Sequence, residues 1–358
     1  MKRRPKLMPE FKARQGLVQP NQTERRWATP LRMARHVVED TAKRVEASKA
    51  LFPWRFFRGD CHCHTLHSDG IGTVRESAEM ARAAGLDFLF VTDHWGVTQA
   101  PECRREGVWV GQEPGAQHHH LGILGLDHAF RPTADLAADM AAVRRLGGTV
   151  FIPHPAGWWP KVVYTQERRE ALWTLPAPFL MEVINGAANL VTAFDYTDEM
   201  AVALWDELLM SGRRIHAMGN SDAHSPHAIG IVWNGVLAPR GDQAAIRSAL
   251  SAGHSFASEA PLLNLTAGRT RMGDRLSCGG RKEPLVATVA DSRGLLRVRL
   301  VADGKVRRTW HLNGQPVCRK TIPIPAAWRR YARLEAISLD GRRGYSNPVY
   351  LDTERTRG

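Results

Sequence analysis

The feature that most constrains the fold of this chain is the stretch 56–69, FFRGDCHCHTLHSD, where an apolar strand-like start leads into three histidines and an aspartate. His62 and His64 are two positions apart, so on a strand their side chains lie on the same face. Two such imidazoles can share a metal ion, and Asp69 in the following loop can complete the site. Paired histidines are also common on protein surfaces, so the prediction of a metal site depends on further ligands elsewhere in the chain.

The cysteines are predicted to be reduced thiols. Cys61 and Cys63 alternate with the two histidines, so they are expected on the opposite face of the strand as small core residues. Five cysteines, an odd number without regular spacing, indicate a reducing compartment. The other three are Cys103, Cys278 and Cys318. No signal-peptide core follows the basic N-terminus and no apolar run can span a bilayer, so a cytoplasmic protein without a membrane partner is expected.

The net charge of +13 is concentrated at the two ends of the chain. Residues 1–58 and 281–358 each carry a net charge of +10, whereas residues 59–280 carry −7. Twelve of the fifteen histidines lie between His62 and His227. An acidic, histidine-rich centre fits a cation site. The basic ends are compatible with nucleic-acid or anionic-substrate binding, and equally with solvated basic tails.

From residue 56 onward, short apolar runs alternate with helical patterns, as in a parallel sheet or barrel. Thr73 and Glu76 form a capping box for a predicted helix that ends before Gly85. Earlier in the chain, residues 30–50 are predicted as a helix with a loose apolar face that includes Val38 and Val45. Further helices are predicted over 133–146 and 198–212, and strands over 86–91, 108–113, 121–126, 149–155 and 179–186.

Most of the predicted strands end in a residue that can bind a metal. These residues are His94, Glu113, His154, Glu182, Asn185, Asp222 and His224, and a histidine run at 118–120 precedes the strand at 121–126. In a (β/α) barrel the carboxyl ends of the strands converge on one face, where active sites lie. The pattern therefore predicts a multinuclear metal site.

Six motifs resemble those of the PHP (polymerase and histidinol phosphatase) superfamily. They are DCHCHTLHSDG at 60–70, TDH at 92–94, GQE at 111–113, HLGILG at 120–125, FIPHP at 151–155 and GNSDAH at 219–224. The resemblance implies a distorted, TIM-like (β/α)7 barrel over residues 56–260, with two or three divalent zinc, manganese or iron ions at its C-terminal face. It also implies metal-ligand roles for nine residues, with His119 as an alternative to the sixth: His62, His64, Asp69, His94, Glu113, His120, His154, Asp222 and His224.

The segment after the barrel is predicted to be all β. ALSAGHSFAS, APLLNLTAG and MGDRLS resemble the carbaryl-hydrolase-like (CehA/McbA) branch of that superfamily, in which a small β-sandwich follows the barrel. The residues agree, since short alternating runs separated by Gly and Asp-Gly turns follow Ser258. The predicted α/β protein thus has a basic, partly helical leader (1–55), a hydrolase barrel (56–260) and a β-sandwich (261–358).

The function predicted from these features is metal-dependent hydrolysis, most simply of a phosphomonoester or a short oligonucleotide. Glu113 is predicted to bridge two cations that acidify a shared water, and the resulting hydroxide attacks the substrate. Asp222 and His224 are predicted to share the catalytic role. The same hydroxide can attack a carbonyl, so a carbamate, amide or ester hydrolase is the alternative. A non-catalytic, metal-stabilised binding module is disfavoured, because a structural zinc site needs four ligands rather than nine.

Four further residues are candidate substrate contacts. Asn185 ends a strand beside Glu182, Trp159 and Lys161 follow His154, and Arg75 begins a helix near Asp69. Each also has a plain structural interpretation, such as packing of a loop or an exposed helix arginine. Nucleic acid is expected only as a substrate, and the sequence leaves the oligomeric state open.

Overall fold

The computed structural model describes residues 20–115, 120–133, 135–158, 161–162, 165–186, 194–276 and 283–351. The α-helices within these ranges are α1 Pro20–Lys49, α2 Val74–Ala83, α3 Ala100–Glu106, α4 Leu136–Arg145, α5 Gln166–Thr174, α6 Tyr196–Met210 and α7 Gln243–Ser251. No described helix combines the length and the apolar character needed to cross a membrane.

The strands of the first 260 residues alternate with these helices. They are β1 Phe57–Asp60, β2 Phe88–Val91, β3 Trp109–Gln112, β4 Gly122–Leu124, β5 Thr149–Ile152, β6 Gly157–Trp158, β7 Lys161–Val162, β8 Phe179–Asn185, β9 Ile215–Asn220, β10 Trp233–Val236 and β11 Ser255–Ser258. The later strands are β12 Leu262–Ala267, β13 Arg275–Leu276, β14 Leu285–Ala290, β15 Leu295–Ala302, β16 Lys305–His311, β17 Val317–Ile322, β18 Tyr331–Ser338, β19 Arg343–Ser346 and β20 Val349–Leu351.

One large mixed sheet forms the centre of the molecule. Its strand order is β13-β20-β18-β19-β11-β10-β1-β2-β3-β4-β5-β8-β9, and β15 and β16 join it through β18. The pairs β1–β2, β2–β3, β5–β8 and β8–β9 are parallel. In contrast to an all-parallel barrel, β4 runs antiparallel to β3 and β5, and β10 runs antiparallel to β1 and β11. Strands β2, β8 and β9 are buried along their whole length, and for β2 this is what the continuous apolar run at 86–91 predicted.

The edge strand β9 is linked by asparagine side chains to β10 and to the segment between β19 and β20. Among the described residues, β9 has backbone ladder partners only in β8. The Asn234 amide accepts from the Gly219 N–H at 3.0 Å and donates to the Gly219 carbonyl at 2.8 Å. Asn347 makes the same pair of bonds to Ala217, at 2.7 and 3.1 Å. Side-chain amides thus satisfy backbone groups that a closing strand would otherwise pair.

Helix starts follow their capping residues. The predicted capping box of Thr73 and Glu76 is present at α2. Helix α4 begins later than predicted, at Leu136, because Asp135 caps it. Helix α1 begins at Pro20 rather than at residue 30, and its residues Val38 and Val45 are buried as predicted.

The segment after residue 261 is all β in its described part. Strands β12, β14 and β17 form a separate three-stranded sheet, whereas β19 pairs with β11 and so continues the large sheet. In that pairing Phe256 lies opposite Ser346. The backbone ladder therefore crosses the predicted boundary, and the division into domains at residues 55 and 261 stays a prediction.

Candidate metal centre

The nine candidate ligands lie together at one edge of the large sheet. His62 and His64 follow β1, His94 follows β2, Glu113 follows β3, His154 follows β5, and Asp222 and His224 follow β9. His120 comes before β4 rather than after it. Because β4 is antiparallel to β3, its N-terminal end lies at the edge where β3 ends, and His120 joins the same cluster.

Glu113 stands at the centre of the cluster with its two carboxylate oxygens facing different histidines. Its Oε1 lies 2.8 Å from His154 Nε2 and 2.9 Å from His120 Nδ1. Its Oε2 lies 3.3 Å from both His62 Nε2 and His94 Nδ1. The side chain is fully buried. A carboxylate placed in this way is suited to bridge two cations.

The deepest group consists of His62, His64 and Asp222. The two imidazole Nε2 atoms are 3.1 Å apart, and Asp222 Oδ1 lies 3.2 Å from His62 Nε2 and 3.0 Å from His64 Nε2. Two imidazole nitrogens that face each other at this distance share at most one proton between them. A metal ion accepts both lone pairs and removes the conflict.

The opposite end of the cluster is open to solvent. Asp69 Oδ2 lies 3.3 Å from His224 Nε2 and 3.5 Å from His94 Nε2, and Asp69 Oδ1 lies 3.6 Å from His64 Nδ1. The Asp69 and His224 side chains are 37% and 40% exposed, in contrast to the buried Glu113. The cluster is therefore accessible from solvent on the Asp69 side.

The donor set fits metal ions. Two ligand atoms bound to one tetrahedral ion at about 2.1 Å are about 3.4 Å apart, close to the separations in the cluster. The ligand atoms fall into three groups, each able to hold an ion: His64, Asp69, His94 and His224; His62, Glu113 and His154; and His62, His64 and Asp222. His64 Nδ1 is buried without a hydrogen-bond partner, and an ion shared with Asp69 satisfies it.

The protonation equilibria of the cluster favour anionic carboxylates. Burial raises the pKa of the Asp69 carboxyl, but hydrogen bonds from His224 and His94 outweigh burial and hold that pKa well below its usual range. Burial likewise opposes ionisation of Glu113 and Asp222, but the neighbouring histidines together, with His62 the strongest of them, outweigh burial and lower the pKa of both carboxyls. Carboxylates that stay ionised are competent metal ligands.

Two of the candidate ligands have a strained backbone. His154 and Asp222 have φ values of 27° and 47°, in the left-handed region that non-glycine residues rarely adopt. Such conformations persist where the surrounding structure holds them in place, typically at functional sites. Here they turn two strand ends sharply so that the side chains point into the cluster.

Glu182, predicted from the sequence as a strand-end residue able to bind a metal, supports the ligands instead. Its carboxylate accepts from His62 Nδ1 at 2.8 Å, the Asn220 amide at 2.8 Å and the His154 backbone N–H at 2.7 Å. The proton on His62 Nδ1 leaves Nε2 as the ligand atom, so Glu182 fixes the tautomer of His62. Asn185, a predicted substrate contact, donates to Glu182 at 2.8 Å and to Asp222 at 3.2 Å.

Asp93 and Arg168 are further residues near the cluster that sequence reasoning missed. Asp93 accepts from the Thr65 N–H at 2.7 Å and from Ser68 Oγ at 2.6 Å, which fixes the loop that carries Asp69. Arg168 of α5 is buried. Burial lowers the pKa of its guanidinium to about 10, and the negative charge of Glu113 partly offsets that effect. Arg168 therefore adds a positive charge beside the carboxylate-rich centre.

Of the other predicted substrate contacts, Arg75 is the one whose side chain the structure describes, and it does not reach the cluster. Arg75 is 73% exposed, and its Nε donates to Glu79 at 3.0 Å, one turn further along the same helix. Trp159 lies outside the described residues, as do the side chain of Lys161 and the alternative ligand His119. Cys61 and Cys63 are buried, as expected for the opposite face of the strand.

Among known proteins, similarity to this chain was found for solved structures and not for protein families or curated proteins. No protein-family model and no curated protein matches the chain. A two-domain protein containing predicted PHP-like metal-dependent phosphoesterase from Bacteroides vulgatus is 16% identical over 83% of this chain and 96% of its own, with a TM-score of 0.47. PsfC from Pseudomonas syringae is 20% identical over 53% of this chain and 86% of its own, with a TM-score of 0.39. The lesion-specific endonuclease PfuEndoQ from Pyrococcus furiosus is 18% identical over 55% of this chain and 56% of its own, with a TM-score of 0.38. Because all three TM-scores are below 0.5, the proposals below rest on the geometry of the chain itself.

Proposed function

We propose that the chain is a metal-dependent phosphoesterase with a multinuclear centre of PHP type. The observation that carries this proposal is Glu113, a buried carboxylate whose two oxygens face different histidines. When bound, divalent ions supply Lewis acidity and lower the pKa of coordinated water, which is the chemistry that hydrolysis requires.

The residues of the chain divide the remaining tasks. Glu113 would hold neighbouring cations, and Asp222 belongs to the deep group beside it. Glu182 keeps His62 in the tautomer that presents Nε2. His224, on the exposed side with Asp69, is placed to meet the substrate. We retain Glu113, Asp222 and His224 as the residues central to the reaction.

The preference for a phosphoester over a carbonyl substrate follows from charge. A phosphoryl group presents several anionic oxygens that can each meet a cation, whereas a carbonyl presents one neutral oxygen. Three ligand groups, each able to hold a cation, match the first type of substrate better. The carbamate, amide or ester hydrolase remains the alternative at the same residues.

A substrate panel tests the proposal. Metal-loaded protein is expected to hydrolyse phosphomonoesters or phosphodiesters, and a chelator is expected to abolish turnover. The panel consists of phenyl phosphate, bis(4-nitrophenyl) phosphate, a short oligonucleotide, an aryl carbamate and an aryl acetate. Turnover of the carbamate or acetate alone contradicts the phosphoesterase and supports the alternative. No turnover of any member by fully loaded protein supports the binding module.

A further inference from the structure

Two tryptophans contact the imidazoles of the candidate metal centre. The Trp95 ring lies 4.9 Å from the His94 ring, with an angle of 31° between the planes. The Trp158 ring lies 4.8 Å from the His154 ring at 67°, and 6.3 Å from the His120 ring at 22°. His94 and His120, which separate the two indoles, have ring centroids 5.6 Å apart. Both indoles therefore border the same group of ligands.

Packing does not account for the conformation of Trp95. Its side chain is 69% exposed, so the indole gains little from burial against the protein. Its backbone has φ of 58°, an unfavourable conformation for a bulky residue. The indole N–H donates to the Gly115 carbonyl at 3.3 Å, which orients the ring. A strained backbone that holds a large apolar ring in solvent indicates a functional constraint.

Trp95 also lies on the accessible side of the centre. It follows His94 directly, and His94 Nε2 is 3.5 Å from Asp69, one of the two most exposed ligands. The buried end, with Glu113 and His62, offers no entry. A substrate whose ester group reaches the centre from this side passes the exposed indole.

We propose that Trp95 determines substrate specificity by stacking on a planar ring next to the scissile ester, with Trp158 contributing to the same wall. The inference rests on the proposed phosphoesterase function and narrows its substrates to aryl or nucleoside phosphoesters. An indole face binds planar rings of either kind, because stacking depends on the π surface rather than on a hydrogen-bond pattern.

A pair of non-hydrolysable ligands tests the stacking directly. Phenylphosphonate and methylphosphonate share the anionic group and differ in the ring, and calorimetry of metal-loaded protein measures both affinities. Wild type is expected to prefer phenylphosphonate by about tenfold or more, the range of base–aromatic stacking. Trp95→Ala should remove the preference without changing methylphosphonate affinity, and Trp95→Phe should restore most of it. Trp173→Ala, which deletes a partly exposed indole on α5, should change neither affinity.

Hydrolysis rates then show whether the stacked ring belongs to an aryl ester or to a nucleoside. Glycerol phosphate serves as the ester without a ring, against phenyl phosphate and a nucleoside 5′-monophosphate. Trp95→Ala should raise KM for whichever ring-bearing ester is the better substrate, and leave glycerol phosphate unchanged.

Equal affinities of wild type for the two phosphonates would overturn the role of Trp95. An equal rise in KM for all three esters in Trp95→Ala would overturn it as well. Binding of phosphonates without turnover of any ester would refute the proposed function instead. In that case the affinities for phenylphosphonate and methylphosphonate still decide whether Trp95 stacks on a ring.

Discussion

Glu113 is the residue on which the candidate centre depends most, because its two oxygens contact different histidines, Oε1 two of them and Oε2 three. Glu113→Gln keeps the shape of the side chain but removes its charge and one good metal-binding oxygen. Neighbouring cations then repel each other without compensation, so we expect loss of bound metal and a fall in turnover of at least about 100-fold. Elemental analysis and rates on the best substrate measure both effects.

The fold should survive this substitution, since buried strands such as β2 and β5 contribute to the core of the large sheet without Glu113. Circular dichroism of the variant should match that of wild type. Glu79→Gln, at an exposed glutamate of α2, is the matched control and should change neither metal content nor rate. Full metal loading with near-wild-type turnover in Glu113→Gln would rule out Glu113 as the bridge.

Glu182→Gln tests the orientation of His62. The carboxylate accepts from His62 Nδ1, and a neutral amide holds that proton less strongly. Loss of a partner that fixes a ligand histidine typically weakens metal binding by about 10–100-fold. Competition with a chelator of known affinity measures this change, and an unaltered metal affinity would show that Glu182 does not position His62.

The sequence predicted the ligands better than it predicted their supporting residues. His62, His64 and the other ligands stand in short motifs at strand ends, and those local patterns are visible without coordinates. The hydrogen bonds of Glu182 reach His62 across 120 residues, and no local pattern encodes such a contact. Arg75 is close to Asp69 in sequence, but its position on α2 directs it toward Glu79.

At the scale of elements, helix α1 is fastened to the C-terminal β segment by a buried ion pair. Arg44 Nη2 lies 2.6 Å from Asp291 Oδ2, and Nη1 lies 2.6 Å from Asp340 Oδ2. Arg44→Met leaves Asp291 buried without its cation, so we expect the free energy of unfolding to fall by about 3–5 kcal/mol. Denaturant unfolding monitored by circular dichroism measures the change.

Arg35→Ala is the control for Arg44→Met, because Arg35 forms an exposed pair with Glu39 on the same helix. Exposed pairs contribute about 0–1 kcal/mol, so this variant should stay close to wild type. Metal content should be unchanged in both proteins. If Arg44→Met is as stable as wild type, α1 is not anchored by this pair.

The order of elements was predictable from the sequence, whereas strand direction and sheet continuity were not. Apolar runs identify β2, β3, β5 and β8, but a run has no direction. The antiparallel course of β4 depends on its neighbours, and so does the ladder between β11 and β19 that crosses the predicted domain boundary. Proline at the first turn is compatible with a helix start at either residue 20 or residue 30, and the structure selects Pro20.

At the scale of the whole molecule, buried His216 couples stability to pH. Burial lowers the pKa of its imidazole from 6.5 to about 3, with Arg214 and His254 adding to the effect. Between these values the unfolded chain binds a proton that the folded protein does not. Stability therefore falls as the pH decreases below 6.5, by up to about 1.4 kcal/mol per pH unit from this residue.

His216→Leu removes that titration. Wild type and variant are compared by the free energy of unfolding across the range from pH 7 to pH 4. As the pH decreases, the free energy of unfolding of wild type should fall relative to that of His216→Leu. A difference that is constant with pH would show that His216 takes up its proton over the same pH range in the folded protein as in the unfolded chain.

The number of metal ions bound per chain tests the multinuclear centre most directly. Three ligand groups around Glu113, formed by eight side chains, exceed what one ion can use. Protein purified without chelator is expected to contain at least two transition-metal ions per chain by elemental analysis. A reproducible content of one ion or fewer, not raised by reconstitution with zinc, manganese or iron, would contradict the multinuclear centre and the phosphoesterase proposed on it.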